Sequence, residues 1–234
     1  MIYDGRDTGD VISVLAVRRQ ASCDRDVVAE SIPGRDGIRF SRVEKGGRSI
    51  EVDVALVRPV AGAVRQAREI ESARRELNAL LLRDRPCELV LPDAPDLADM
   101  AVVESVSDIE RLAYIGTATV AFRCMDSASR GETRTGEMAD GGKLWVRVGG
   151  NAPTAPVVMV QASEPFTVLF DGVPFEVTGT PEGYCGIDGE KGTVECAGSA
   201  VRYAVTSDIP SWEPGRHTVE CELPYAVRWV ERWS

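Results

Sequence analysis

A strict alternation of aliphatic and polar residues is the feature that most constrains how this chain folds. Residues 50–56 read IEVDVAL, so every second side chain is Ile, Val or Leu. Because successive side chains of a β-strand point to opposite faces, this pattern predicts a strand with one buried and one solvated face. Such a strand requires neighbouring strands and a core to cover its aliphatic side, so we expect a sheet here.

Other short apolar segments in the first half also predict β-strands. The sequence Lys45-Gly46-Gly47 predicts a hairpin turn between two of them, because glycine adopts the backbone angles that tight turns need. In the last segment, Ala118, Val120 and Phe122 share one face. The strands predicted in this half cover residues 11–17, 37–43, 49–57, 87–91, 100–106 and 111–124.

One segment between these strands follows a helical period instead. Its apolar residues recur at spacings of three and four, which predicts an amphipathic helix over about Val64 to Leu82 that packs on the sheet. Pro86 stops the pattern, because proline cannot continue a helix and disfavours helical geometry in the residue before it. The residues of the apolar stripe are Ile70, Ala73, Leu77, Leu80 and Leu81.

The second half of the sequence reads almost wholly as short β-strands. Asp171-Gly172 lies between two of them and predicts a compact hairpin. Strands at this spacing are typical of a β-sandwich of about eight strands. The predicted strands cover residues 143–148, 156–161, 166–170, 173–177, 193–196, 200–205, 217–222 and 226–233.

These patterns predict an α+β domain, a β-sandwich or split barrel with one amphipathic helix, followed by an all-β sandwich. A polar, turn-rich stretch after Met125 reads DSASRGETRTG and indicates the boundary between the two domains. The expected division is residues 1–126 for the first domain, 127–141 for a linker and 142–234 for the second domain.

Composition and charge exclude several classes of protein. The formal net charge of the 234 residues is -10 at pH 7, whereas general nucleic-acid binding needs clustered Lys and Arg to neutralise phosphates. No run of 18 apolar residues is present, so we expect no membrane-spanning helix. The first residues, MIYDGRDTGD, lack the features of a signal peptide, which predicts synthesis and folding in a cytoplasm.

Cysteine and histidine usage argues against metal binding and catalysis. The six cysteines show no CxxC spacing, and His217, the only histidine, lies in a turn-like segment. Reduced, buried thiols are expected, although Cys185 and Cys196 flank a turn-rich segment across which a disulfide is conceivable. A nucleophile elbow and phosphate-binding glycine motifs are missing from the sequence, so we expect no enzymatic activity and no cofactor.

One segment and one group of tryptophans remain open to functional interpretation. The stretch SIPGRDGIRF, residues 31–40, fits an active-site loop, a phosphate-binding loop or a tight structural turn. Trp212, Trp229 and Trp233 are candidates for a sugar-stacking platform on the second domain. Packing of these three rings in a core or an interface is the alternative, and it is favoured.

Short motifs follow one another along the whole chain in a characteristic order. They are Ile2-Tyr-Asp-Gly5, Pro33-Gly-Arg-Asp-Gly37, Ile50-Glu-Val-Asp-Val54, Ala121-Phe-Arg-Cys-Met-Asp126, Gly149-Gly-Asn-Ala-Pro-Thr-Ala-Pro156, Ile209-Pro-Ser-Trp-Glu-Pro-Gly215 and Val227-Arg-Trp-Val-Glu-Arg-Trp233. In this order and spacing the sequence resembles the distal tail proteins, or Dit, of bacteriophages with long non-contractile tails. The resemblance implies that the second domain is a galectin-like β-sandwich.

The resemblance also implies a structural role at the tip of the phage tail, in the virion. Six copies of the first domain would close into a ring around a DNA channel and act as the hub of a baseplate. The expected partners are the tail tube protein and the tail-associated lysin or fibre protein, with assembly in the cytoplasm of the host bacterium. Neither sequence-specific nucleic-acid binding nor membrane binding is expected. An alternative function is a carbohydrate-binding module that attaches the phage to host cell-wall glycan.

In this context the glycine-rich stretch is interpreted as an architectural turn. Gly34 and Gly37 tolerate backbone angles that other residues resist, and Pro33 fixes the approach of the chain. The pair Arg35-Asp36 is expected to interact within the turn or with a neighbouring subunit. An exposed pair of this kind contributes about 0–1 kcal/mol, so it would set register more than strength.

Overall fold

The computed structural model describes residues 1–56, 72, 74–107, 110–112, 115–204 and 206–234. Within these residues the fold consists mostly of β-strands, with helical residues at 72 and 74–81, called α1 below. The chain divides into two compact units, Met1–Ser129 and Arg130–Trp233.

The first unit is built on an antiparallel sheet with the strand order β3-β6-β10-β8-β7-β1-β2. A short strand, β9, pairs with the beginning of β10. Two further strands, β4 and β5, pair only with each other and form a separate two-stranded sheet. The strands are β1 Ile2–Tyr3, β2 Arg6–Asp7, β3 Ile12–Arg19, β4 Arg25–Ser31, β5 Ile38–Lys45, β6 Arg48–Leu56, β7 Cys87–Leu91, β8 Ala94–Val106, β9 Glu110–Leu112 and β10 Ile115–Cys124.

The alternation in β6 places its aliphatic side chains in the core of the first unit, as predicted. Ile50, Val52 and Val54 are buried, and Val52 lies opposite Val120 of the neighbouring strand β10. Leu77 and Leu81 of α1, one helical turn apart, are buried in the same core. Residues 64–71 and 73 of the predicted helix, which include Ile70 and Ala73, lie outside the described residues, and Leu82 lies just after the last helical residue.

One buried ion pair lies beside this core. Arg48 Nη2 donates to Asp99 Oδ1 over 2.5 Å and to Ser129 Oγ over 3.0 Å, and Ser129 Oγ donates to Asp99 Oδ1 over 2.8 Å. The side chains of Arg48 and Asp99 are only 10% and 4% exposed. Because little water reaches either charge, the hydrogen bonds among Arg48, Asp99 and Ser129 replace those that water would otherwise supply.

Asp4 fixes the turn between β1 and β2 to the segment that follows α1. Its carboxylate accepts hydrogen bonds from Arg83 Nε at 3.0 Å and from Arg85 Nη2 at 2.8 Å. The hydrogen bond from Arg83 is the main cause that holds the pKa of Asp4 below its ordinary value. Because the pKa of Asp4 is lower in the folded than in the unfolded state, its ionised carboxylate stabilises the fold at pH values above the unfolded-state pKa. This stabilisation is lost as the pH falls through the folded-state pKa.

Two predictions about strand connections in this unit are wrong. The glycines after Lys45 do not join a hairpin, because β5 pairs with β4 whereas β6 pairs with β3 and β10. Gly47 is needed there for close approach, since a Cβ atom would lie 2.2 Å from the carbonyl oxygen of Cys124. The predicted single strand 111–124 is two antiparallel strands, β9 and β10, with Leu112 opposite Ile115.

The second unit is a sandwich of two antiparallel sheets. One sheet has the order β18-β17-β16-β13-β20-β11 and the other the order β12-β19-β14-β15. Val158, Val168 and Val219 are among the buried residues that both sheets contribute to a common core. The strands are β11 Ser129–Met138, β12 Gly142–Val148, β13 Val157–Ala162, β14 Phe166–Phe170, β15 Val173–Val177, β16 Gly183–Asp188, β17 Thr193–Cys196, β18 Ser199–Ala200, β19 Gly215–Cys221 and β20 Tyr225–Trp233.

The sequence-based interpretation missed two strands of this sandwich. Residues 127–141 were expected to form a linker, but most of them form β11, which pairs with β20. Small and polar residues dominate β11, so its backbone pairing, and not an apolar pattern, makes it a strand. β16 was missed as well, because glycines interrupt its apolar alternation at residues 183 and 186.

A disulfide bond joins Cys185 and Cys196, the pair that the sequence left open. The two residues lie directly opposite each other in β16 and β17, with their Cα atoms 4.2 Å apart. The other four cysteines are free, and burial is the main cause that raises the pKa of Cys124 to about 12. Burial also raises the pKa of the Cys221 thiol. Such thiols form little reactive thiolate at neutral pH.

The buried ion pair gives a stability prediction. Replacing Asp99 with Asn leaves the guanidinium of Arg48 buried without its counter-charge, so Asp99→Asn should lower the free energy of unfolding by about 3–5 kcal/mol. Glu44→Gln, which removes the exposed partner of Arg42, is the matched control and should change it by less than about 0.5 kcal/mol. Urea-induced unfolding measures both values, and equal effects would contradict the assignment.

The cysteine environments predict an order of chemical labelling. Iodoacetamide should modify one thiol in the native protein, because four of the six cysteines are free and three of those are buried. Mass spectrometry of labelled peptides identifies the modified residues, and labelling of Cys185 without a reductant would contradict the disulfide. The expected order is Cys23 in the native protein, Cys87, Cys124 and Cys221 after unfolding, and Cys185 and Cys196 only after reduction.

Candidate interaction surfaces

The glycine-rich turn lies at the end of the hairpin formed by β4 and β5. Gly34 and Gly37 have φ angles of 77° and 94°, in the region that side chains other than glycine rarely adopt. The main-chain N–H of Arg35 donates to the carbonyl oxygen of Ile32 over 3.2 Å, which closes the turn. Arg35 and Asp36 are exposed and form no ion pair with any residue that the structure describes.

The hairpin that carries this turn is amphipathic but has no buried side. Every residue of β4 and β5 is exposed or half-buried. The cross-strand pairs Val27–Val43, Ala29–Phe40 and Ser31–Ile38 place the apolar side chains together on one face, because directly opposed residues share a face. The charged pair Glu30–Arg39 lies on the opposite face.

Exposure of this apolar face is unusual for a β-hairpin. Ile38 and Phe40 are 75% and 61% exposed, and Val27 is exposed as well. An isolated two-stranded hairpin is marginally stable in water, and it normally requires packing against another element. The face of β4 and β5 that carries Val27, Ala29, Ile38, Phe40 and Val43, called the hairpin face below, is therefore a candidate surface for contact with another chain.

The structure separates the three tryptophans of the candidate sugar platform. Trp212 and Trp229 are 1% and 7% exposed and contact each other edge to face in the core of the second unit. Their rings leave almost no surface for a sugar. Trp233 is 42% exposed and lies at the end of β20. The three residues thus do not form a shared exposed surface.

His217, the only histidine in the sequence, contacts groups that hold the fold together. His217 Nδ1 lies 2.7 Å from Asp171 Oδ2, and its Nε2 lies 2.6 Å from the carbonyl oxygen of Glu213. The imidazole also stacks on the buried ring of Trp212. These contacts connect the beginning of β19 with the turn between β14 and β15, and none of them involves a hydroxyl or thiol that a catalytic histidine would activate.

The described part of the chain was also compared with the requirements of metal sites and membrane-spanning helices. It contains no group of three or more His, Cys, Asp or Glu side chains that could hold a metal ion. Asp188 accepts hydrogen bonds from the main-chain N–H groups of Glu190 and Lys191, which fix the turn after β16. Among the described residues, helices long and apolar enough to cross a bilayer were not found.

The structure adds a tryptophan that the sequence-based interpretation did not select. Trp145 is 69% exposed on β12, where Lys143 and Arg147 share its face. The signal was present in the sequence, because KLWVRV alternates outward and inward residues. Its importance became visible only when the register placed Arg216 of β19 opposite Arg147.

Comparison with known protein families identifies the first unit. The family model described as phage tail protein RIFT-related domain matches residues 7–124, about half of the chain. The chain belongs to this family of phage tail proteins. It is accordingly a structural component of a phage tail and not an enzyme.

One solved structure extends the similarity to the whole chain. The crystal structure of phage SPP1 Dit (gp 19.1), described as a paradigm of hub adsorption apparatus in Gram-positive infecting phages, matches with a TM-score of 0.77 and 20% identity, covering 100% of this chain and 98% of that one. The phage P2 baseplate in its activated conformation with Ca matches with a TM-score of 0.47 and 9% identity over 95% and 91% of the two chains. No curated protein sequence matches this chain significantly. The match to SPP1 Dit confirms the Dit fold that the sequence resemblance implied.

The geometry of the turn predicts the effect of a β-branched residue. Gly37→Val forces valine to a φ of 94°, which should cost about 1–2 kcal/mol and disturb the hairpin or the assembly that it forms. Asp36→Val is the matched control, because Asp36 is exposed and its φ is not positive. Thermal unfolding and size-exclusion chromatography compare the variants, and wild-type behaviour of both would rule out an architectural role for Gly37.

Proposed function

We propose that this protein forms a homohexameric ring at the tip of the phage tail and serves there as the hub of the baseplate. Membership in a phage tail protein family and a fold similar to SPP1 Dit support this role. In this proposal the ring joins the tail tube protein to the tail-associated lysin or fibre protein, and DNA passes through its centre. Assembly takes place in the cytoplasm of the host bacterium.

The exposed hairpin face is the observation that carries the proposal. A monomer with this surface exposes Val27, Ile38 and Phe40 to water, and burial of apolar area contributes about 25 cal/mol per Å². Contact with a second copy of the chain removes this area from water and supplies the packing that an isolated hairpin lacks. The turn from Pro33 to Gly37 then fixes the spacing of the two strands that carry the contact.

Such a contact is suited to a ring. In our proposal the hairpin face packs on a different surface of the next copy, which is a head-to-tail contact and not the contact of a two-fold dimer. Repetition of a head-to-tail contact by rotation closes a ring after a fixed number of copies. A stable ring requires about 1,000 Å² or more of buried surface at each contact. The hairpin would supply part of this area, and other surfaces of the first unit would supply the rest.

The net charge of -10 per chain fits passage of DNA. A channel lined by acidic subunits repels the phosphate backbone and so does not retain DNA during transit. In our proposal, acidic side chains therefore line the channel. Neutralising those acids should slow or impair DNA ejection, and unchanged ejection would contradict this part of the proposal.

Negative-stain electron microscopy of the purified protein tests the ring directly. The wild-type protein should show rings with an axial hole and elute with the mass of six chains. Phe40→Asp places a charge in the hairpin face, and it should abolish the ring and leave monomers with an unchanged circular-dichroism spectrum. Val173→Asp is the matched control, because Val173 is similarly exposed but lies on β15 in the second unit.

The outcomes distinguish the parts of the proposal. Rings in both variants would show that the hairpin face does not form the subunit contact. Monomers in the wild-type protein at concentrations well above micromolar would contradict self-assembly of the isolated chain. Loss of the ring in the Val173→Asp control would place the contact in the second unit instead.

A further inference from the structure

An exposed aromatic side chain is centred on one face of β12 in the second unit. Trp145 is 69% exposed, which makes it the most exposed of the four tryptophans in the chain. Lys143 and Arg147 lie on the same face, two residues away on either side, and Lys143 Nζ lies 5.4 Å from the centroid of the indole ring. The opposite face of β12, with Val146 and Val148, is buried in the core.

Two arginines face each other beside this tryptophan. The antiparallel register of β12 and β19 places Arg147 directly opposite Arg216, so both guanidinium groups extend from the same face. Both residues are exposed, and neither is within 4.0 Å of a carboxylate of a described residue. Like charges directly opposite each other destabilise a sheet. This arrangement is unexpected in a chain with a net charge of -10, and folding gives it no evident reason.

The remaining neighbours complete a shallow polar surface. Thr218 lies opposite Trp145, and Glu220 lies opposite Lys143 with their charged atoms 3.7 Å apart. Glu220 partly neutralises Lys143, whereas the two arginines at the other end keep their positive charge. The surface therefore has an aromatic centre and one strongly positive end.

We infer that this face of β12 and β19 binds an anionic carbohydrate. The ring of the sugar stacks on Trp145, and its carboxylate or phosphate is held between Arg147 and Arg216. Guanidinium groups match such anions by paired hydrogen bonds, and the flat indole matches the apolar face of a sugar ring. The inference goes beyond the proposed structural role, and the site differs from the candidate formed by Trp212, Trp229 and Trp233.

The side chains of this face favour a carbohydrate over an acidic peptide. Although β12 is the edge strand of its sheet, the free edge is separate from the face that carries Trp145. Main-chain N–H and C=O groups of β-strands point along the sheet toward neighbouring strands and not out of its face. Extended peptides bind mainly through such groups at sheet edges. Recognition on this face relies on side chains alone, and the aromatic ring with two neighbouring cations suits a ring-shaped ligand that carries an anion.

A binding experiment with the full-length protein tests the inference. Isothermal titration calorimetry would compare tetragalacturonic acid, a phosphorylated oligomannose, neutral cellotetraose, hexaglutamate peptide and inorganic phosphate. We expect binding of at least one of the two charged sugars, and the comparison between them identifies carboxylate or phosphate as the preferred anion. Cellotetraose, hexaglutamate and phosphate should bind at least about tenfold more weakly. Equal binding of hexaglutamate or phosphate, or no binding of either charged sugar, would overturn the inference.

Variants locate the site. Trp145→Ala and Arg216→Ser should each weaken binding of the charged sugar about tenfold. Trp233→Ala removes another exposed tryptophan and should leave binding unchanged. Unchanged binding in Trp145→Ala, or an equal loss in Trp233→Ala, would overturn the assignment. Electron microscopy of the same samples reports the ring separately, so a loss of sugar binding can be distinguished from a loss of assembly.

The opposed arginines provide a second readout. Arg147→Glu converts the like-charge pair into an attractive cross-strand pair, so it should raise the melting temperature by about 1–3 °C while abolishing sugar binding. A gain in stability together with a loss of binding shows that the arginine pair is kept for its ligand and not for folding. A lower melting temperature would show that Arg147 has a structural partner and would contradict the inference.

Discussion

Burial of alternate side chains beneath antiparallel sheets is the constraint on which the rest of this structure depends. In β6, Ile50, Val52 and Val54 point into the core of the first unit, and the sandwich of the second unit follows the same rule. Because a strand has only two faces, each apolar face must find cover, and each outward face must tolerate water. This rule accounts for almost every strand of both units.

Two of the strand faces that depart from the rule suggest function. The hairpin face of β4 and β5 leaves apolar residues in water, and the outer face of β12 leaves Trp145 in water beside two opposed arginines. In each case the isolated chain carries a feature that costs stability. A second copy of the chain and an anionic sugar are the respective partners that would offset these costs. A structural protein without catalytic chemistry acts through surfaces of this kind.

The residues that most resemble catalytic groups have structural roles instead. His217 connects the beginning of β19 to Asp171 and to the main chain at Glu213. Cys124 and Cys221 are buried thiols whose pKa values are raised, mainly by burial, and Cys185 is held in a disulfide. These side chains are thus engaged in hydrogen bonds, a disulfide bond or core packing, in agreement with membership in a phage tail protein family.

The sequence by itself determined the strands whose side chains alternate clearly, such as β6, because this alternation is a local property; it missed β11 and β16, where small, polar or glycine residues hide the pattern. It also identified the glycine turn, the stripe with Leu77 and Leu81, and the family. It could not determine pairing, since a strand's partner is the segment whose apolar face closes the same core. Tertiary structure alone therefore decided that β5 pairs with β4, that Trp233 is exposed while Trp212 is buried, and that Arg147 lies opposite Arg216 from a distant part of the chain.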